Sequence, residues 1–263
     1  MAQETIDYSV IKVMGHQVSV TEDVVVREIP LTIYYNDEEL ITVLCSPSLI
    51  EELSVGFLLM EGFIRDSTDL YGLQYEPENS LIRLKGKKCA VQKKLMSKRY
   101  LSACCGKSRT SFYFANDAIL AKPQQSRMRI ELEEVYGYAD YLESHLPLFR
   151  ATGGVHSGGI GASGKVLCTA FDIGRHNVLD KLSGYIFRTG IAPSDHVVFF
   201  SGRVSSEILL KVAKMNIPIL IARSAPTDLA LSLAEDLKIT LVGFARHQRL
   251  NVYTCPERII IPA

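Results

Sequence analysis

The sequence predicts an α/β protein: a C-terminal, mostly parallel sheet with helices on both faces, joined to a smaller N-terminal α+β lobe. Two observations predict it. After Arg150, apolar runs of strand length alternate with amphipathic runs of helix length, the rhythm of parallel strands covered on both sides. Before about residue 125 the pattern is instead a period-two alternation, a single apolar helix and a long basic stretch. The expected division is therefore 1–125 and 126–263.

In the first part, IPLTIYYNDEELITVLCS alternates as two strands, with Asn36-Asp37 as the turn between them. Ser46-Pro47 reads as an N-cap followed by proline at the first helical position, and the helix through EELSVGFLLM should stop near Gly62. A strand from Leu81 leads into a basic run over about 85–110. Lys85, Lys87, Lys88, Lys93, Lys94, Lys98, Arg99, Lys107 and Arg109 stand there with no acidic residue among them. A short aromatic strand, SFYF, and a helix in ELEEVYGYADYLESH follow.

The C-terminal part reads in order as strand KVLCTAFDI, helix NVLDKLSGYIFRTG, strand HVVFF, helix SSEILLKVAKMN, strand IPILIA, a helix TDLALSLAEDL capped by Thr227, strand ITLVGF and an edge strand NVYT. With 263 residues, 47% of them hydrophobic, the chain can bury a sizeable core. Its 29 basic and 29 acidic residues leave no surplus for nucleic acid. No apolar run approaches a membrane span, and the N-terminus lacks the look of a secretory signal, so a cytoplasmic protein is expected.

Ligands of open α/β sheets bind beyond the carboxyl ends of the strands. Leaving the four main strands are Asp172-Ile173-Gly174-Arg175-His176-Asn177, Ser201-Gly202-Arg203, Arg223-Ser224-Ala225-Pro226 and Gly243-Phe244-Ala245-Arg246-His247, continuing into Gln248-Arg249. Each carries arginine beside small or polar residues, and three precede a helix. Arginine offers planar paired donors, and helix N-termini favour negative charge. Together they point to a phosphate or pyrophosphate site for a nucleotide-like ligand. The glycine-rich Thr152-Gly153-Gly154-Val155-His156-Ser157-Gly158-Gly159 is a further candidate for close backbone approach, although it lacks the ending of a Walker loop. No histidine or cysteine spacing suggests a metal site, and hydrogen bonding or packing is expected of His156 and His176.

Of the six cysteines, Cys45, Cys168 and Cys255 lie in strand-like runs and read as ordinary buried thiols. Cys104-Cys105 differ. Lys107, Arg109 and Arg99 would favour a thiolate there, and Gly106 loosens the backbone. Adjacent cysteines seldom form a relaxed disulfide, because their Cα atoms are only ~3.8 Å apart. A persulfide carrier needs only one exposed thiolate.

These residues resemble the formate dehydrogenase accessory sulfurtransferases over nearly the whole chain. The likeness rests on Pro30-Leu31-Thr32, Gly56-Phe57-Leu58-Leu59-Met60-Glu61-Gly62, Cys105-Gly106-Lys107, Thr152 to His156, Asp172 to Asn177 with Asp180-Lys181, Ser201-Gly202-Arg203, Ser224 to Thr227 and Gly243 to Arg246. The resemblance implies a sulfurtransferase that accepts persulfide sulfur from a cysteine desulfurase. It passes that sulfur to the molybdenum cofactor, bis-molybdopterin guanine dinucleotide, before insertion into the catalytic subunit of formate dehydrogenase. It also implies a cytidine-deaminase-like C-terminal domain without the zinc site, a homodimer, and GDP-like nucleotides as mimics of the cofactor. The family's Cys-x-x-Cys is here Ser102-Ala103-Cys104-Cys105. Cys105 matches the second cysteine and is the expected carrier, with Cys104 as substitute or helper. The competing expectations are a cofactor-binding chaperone without sulfur transfer and a guanine-nucleotide-binding regulator or hydrolase.

Overall fold

The structure, a computed structural model, describes residues 4–87, 120–144 and 147–262. The Cys104-Cys105 pair, most of the basic run and the strand expected at SFYF lie outside the described residues.

The chain opens with a hairpin that the sequence expectations lacked, β1 (Thr5–Met14) and β2 (Gln17–Val26). Its apolar residues face outward: Ile11, Val13, Val18 and Val20 are all exposed, so no buried face marks it as a strand pair. Next come β3 (Ile29–Tyr35) and β4 (Glu38–Cys45). Between them Asn36 and Asp37 both take positive φ, 52° and 67°, the left-handed pair that a tight hairpin turn requires. After α1 (Ile50–Met60), β5 (Leu70–Glu76) and β6 (Leu81–Gly86) complete a four-stranded sheet in the order β4-β3-β6-β5.

The entry to α1 differs from expectation. Its N-cap is Leu49, not Ser46, and Leu49 makes no side-chain cap bond. Ser46 is fully buried, and its hydroxyl lies 3.1 Å from Asp172 and 3.0 Å from the Lys181 ammonium. A tertiary network has claimed the side chain that local chemistry would have used as a cap. The exit is as read, with Gly62 at φ 76° just past the helix. Because α1 lies between the four-stranded sheet and the rest of the protein, it is apolar nearly all round.

The second sheet has six strands. After β7 (Ile130–Glu131), α2 (Leu132–Ser144) and α3 (Pro147–Thr152) come β8 (His156–Ala162) and β9 (Lys165–Asp172). Then α4 (Arg175–Thr189), β10 (Val197–Phe200), α5 (Ser206–Lys214), β11 (Ile219–Ala222), α6 (Asp228–Asp236), β12 (Thr240–Arg246) and β13 (Arg249–Val252) follow. A last short strand, β14 (Ile259–Ile260), pairs with β7. The large sheet runs β13-β12-β11-β10-β8-β9. The four main strands read from sequence, β9 to β12, point the same way, while β8 and β13 are antiparallel to their neighbours. The glycine-rich stretch is therefore not a loop throughout: from His156 it is β8, inserted between β9 and β10. Its glycines serve packing, since a Cβ on Gly159 would overlap the Phe199 ring and one on Gly161 the Tyr138 ring.

Helices cover both faces. Val178, Leu182, Ile208, Val212, Ala230 and Ala234 from α4, α5 and α6 bury one side against Val198, Leu220 and Leu241. Val135, Tyr138 and Leu142 of α2 cover the other against Phe199, Ile221 and Val242. The two sheets meet where α1 crosses α4 with backbones nearly touching. A Cβ on Gly56 would overlap the Asp180 carbonyl, and one on Gly184 the Glu52 carbonyl. Overpacking of a tight contact costs about 1–3 kcal/mol. Gly184→Ala and Gly56→Ala should each lower the unfolding free energy measured by urea titration by that amount or more, and a value equal to wild type would contradict this crossing.

Candidate functional site

Topology brings every candidate loop to one edge of the large sheet. The carboxyl ends of β9, β10, β11 and β12 lie there, and because β8 and β13 run the other way, their first residues do too. Across that edge stand Arg249, Gln248, His247 and Arg246, then Arg223 and Ser224, then Ser201 to Arg203, then His156, and last Arg175 and His176. Gly153 and Gly154 are exposed and lead into β8.

The loops are stitched to one another. Ser157 donates its amide to the Ser201 hydroxyl at 2.8 Å, the Ser224 hydroxyl donates to the Ser201 carbonyl at 2.8 Å, and the Phe244 amide approaches the Ser224 carbonyl at 3.4 Å. Backbone bonds from Val204 to Ala225 and from Thr227 to Val204 lock the next turn of the chain. Such bonds fix the spacing of the arginines without using their guanidinium groups.

At the β9 end, Asp172 organises the approach to α4. Its carboxylate accepts from the Gly174 amide at 2.9 Å and the Asn177 side chain at 2.8 Å. Gly174 is the N-cap and no side chain caps α4, leaving its first amides for solvent or an anion. Arg175 and His176 are its first residues. The Nε of Arg175 is buried with no hydrogen-bond partner among the described residues. His176 is already engaged, its Nε2 lying 2.9 Å from Glu207 in the first turn of α5.

His156 is the meeting point of the cations. Its ring lies near Phe200, with centroids 6.5 Å apart, and a Cβ on Gly202 would come within 3.4 Å of its Nδ1. Burial first, and then Arg175, His176 and Arg203, hold this histidine below the usual 6.5, against an opposing pull from Asp172.

At the β12 end the backbone is strained. Phe244 has φ 53° in an irregularity of the β12–β13 pairing between Gly243 and Arg246, and His247 and Gln248 have φ 50° and 56°. Left-handed backbone at such residues costs on the order of 1–3 kcal/mol each and persists where the surroundings impose it, often at functional sites. The irregularity lets Val242 and Ala245 both face α2, and it throws the Phe244 ring outward, 39% exposed. Ala245 is in the core, 1% exposed, and can offer a ligand only its backbone. Gly243 is buried against Tyr253, Pro226 and Ser224, so its lack of a side chain is explained by packing. Arg203, Arg246, His247, Gln248 and Arg249 are exposed, and Arg223 is half-buried.

Sequence reasoning missed two acidic partners. Glu207 holds His176, and Glu143 lies 3.0 Å from Arg223 Nε and 3.6 Å from His247 Nε2. Glu143 sits on α2, some eighty positions before Arg223, so no local signal could reveal it. Among the described residues no group of three or more His, Cys, Asp and Glu could hold a metal ion, and no helix is long and apolar enough to cross a membrane. Of the described cysteines, burial pushes Cys45 up to about 12 and Cys168 up to about 11.

A family model described as the FdhD/NarQ family matches residues 26–260. The sulfur carrier protein FdhD of Halalkalibacterium halodurans is 43% identical over 255 residues, spanning 96% of this chain and 94% of that protein. That of Listeria innocua is 43% identical over 242 residues, spanning 90% and 92%. The crystal structure of a candidate formate dehydrogenase accessory protein from Desulfotalea psychrophila superposes with a TM-score of 0.81. It covers 98% of this chain and 100% of the other at 24% identity, which speaks to the fold alone.

The His156 environment makes a pH prediction. An unfolded histidine takes up its proton near pH 6.5, whereas the folded ring does so only at lower pH. Its contribution to stability is thus complete above pH 6.5 and is lost as pH falls through the depressed value. Ring-proton NMR should give a midpoint below 6.5 that rises when pyrophosphate is added. A midpoint at or above 6.5 without ligand would contradict the clustering of cations around it.

Proposed function

The chain belongs to the FdhD/NarQ family, and on that footing we propose that it is a sulfur carrier that matures formate dehydrogenase. The observation that carries the proposal is the convergence of five arginine-bearing positions, 175, 203, 223, 246 and 249, on one sheet edge. The ligand proposed for this edge is the molybdenum cofactor in its bis-molybdopterin guanine dinucleotide form. Its two pyrophosphates match paired guanidinium donors and the uncapped start of α4. The exposed Phe244 ring offers an apolar face to a guanine.

Sulfur is proposed to travel on Cys105. Its thiolate takes the terminal sulfur from a desulfurase persulfide, which leaves as a thiolate. The Cys105 persulfide would then yield that sulfur, at the sulfane level, to the bound cofactor and return to thiolate, with the two electrons that bring the sulfur to the sulfide level supplied by the reduced metal of the cofactor. Two described cysteines are poor candidates for this work, because burial keeps Cys45 and Cys168 protonated at neutral pH. Lys107 and Arg109 beside Cys105 favour the opposite. We further carry over from the family a cytoplasmic homodimer, which would give the exposed aliphatic residues of the β1–β2 hairpin a partner surface. Sedimentation at monomer mass would remove the dimer.

Intact-protein mass spectrometry after incubation with cysteine and a cysteine desulfurase tests the carrier. Wild type and Cys104→Ala should gain one sulfur atom, about 32 Da, and Cys105→Ala none. In cells, Cys105→Ala should fold normally yet leave formate dehydrogenase inactive. No gain in any of the three, with the desulfurase active, would favour a cofactor-binding chaperone over a sulfurtransferase.

A further inference from the structure

Arg223 sits on this cationic edge with a carboxylate beside it, and two opposite roles are open to such a group. It could occupy the guanidinium as a competing anion until a ligand displaces it, or it could hold the guanidinium in the pose that a ligand needs. The two roles predict different geometry. A competitor is best placed on the terminal fork of the guanidinium, where a phosphate would also bind. A positioning group takes the inner nitrogen and leaves the fork free.

Glu143 takes the inner nitrogen. Its Oε1 lies 3.0 Å from Arg223 Nε, and the arginine side chain keeps a third of its surface exposed. That carboxylate oxygen is buried and makes no hydrogen bond among the described residues, so the ion pair with the arginine is its compensation. The second oxygen lies 3.6 Å from Nε2 of His247, in the turn between β12 and β13. Glu143 thereby spans two strand ends from the last turn of α2. The helix itself is held down by Tyr138, Ala139 and Leu142, all buried against the sheet. A rigid element therefore supplies the anchor.

We propose that Glu143 is a positioning residue, which holds Arg223 by its inner nitrogen so that the terminal fork faces a phosphate of the guanine dinucleotide. By the same carboxylate it steadies the β12–β13 turn. This rests on the ligand site proposed above. Replacing the carboxylate frees the arginine to adopt many rotamers, and the freedom must then be given up again on binding.

The test is calorimetric binding of GDP to the full chain: wild type, Glu143→Gln, Arg223→Ala and the double variant, each checked for an unchanged melting temperature. Glu143→Gln should weaken binding roughly fivefold, the scale of one part-exposed ion pair. In the Arg223→Ala background it should change affinity less than twofold, because Glu143 acts through that arginine. Tighter binding by Glu143→Gln would make Glu143 a competitor and overturn the proposal. Equal losses in both backgrounds would overturn it in favour of a general structural role. If wild type itself fails to bind GDP, the ligand site falls, and the role of Glu143 falls with it.

Discussion

The carboxylate of Asp172 has no exposed surface, and the arrangement around it ties the two sheets to the site. Burying a carboxylate is costly unless it is paired and hydrogen-bonded. Lys181 supplies the charge at 2.6 Å, while the Ser46 amide and hydroxyl supply donors from the four-stranded side at 3.1 Å each. Gly174 and Asn177 supply donors from the start of α4. Lys181 in turn donates to Ser48 and to the Phe171 carbonyl. One ion pair therefore fixes three things together: the end of β9, the first turn of α4 with Arg175 and His176, and the chain that enters α1. Next to it, Asp180 pairs with Lys211 of α5 in a second buried contact. Removing one partner of a buried pair leaves an uncompensated charge, a loss of roughly 3–5 kcal/mol. The site cannot loosen at this end without loosening the contact between sheets.

Elsewhere along the edge the same logic uses neutral groups. Serines at 157, 201 and 224 join four strand ends through backbone and hydroxyl bonds, which sets the arginines apart at fixed intervals. Glu143 and Glu207 then engage Arg223 and His176 from α2 and α5. A ligand with several phosphates would meet donors already in place and so lose less conformational freedom on binding. The strained backbone at Phe244 belongs to the same design: a rigid frame holds an aromatic ring outward against its own preference.

How much of this was legible depended on the range of each interaction. The strands and helices after Arg150 were readable because each carries its own period and caps, as Thr227 does for α6. The Asn36-Asp37 turn was readable for the same reason. Ser46 was misread because the local cap rule lost to a partner 126 positions away. β8 was misread because glycines that admit Phe199 and Tyr138 look identical, in sequence, to glycines that admit a ligand. The β1–β2 hairpin gave no signal, since its apolar residues face out rather than into a core. Four strand-end arginines could be placed on one edge from the βα order alone, whereas Glu143, which meets Arg223, and Glu207, which meets His176, come from other helices and were invisible.

The central claim is that sulfur carried by Cys105 reaches a cofactor held at this edge. It is tested most directly by loading the protein with radiolabelled sulfur from a cysteine desulfurase, adding the molybdenum cofactor, and separating cofactor from protein. Label should move to the cofactor from wild type. From a variant with Arg203→Ala and Arg246→Ala it should stay on the protein, which still loads normally. Equal transfer from that variant would contradict the account, because the cofactor would then be receiving sulfur without the arginine-lined edge.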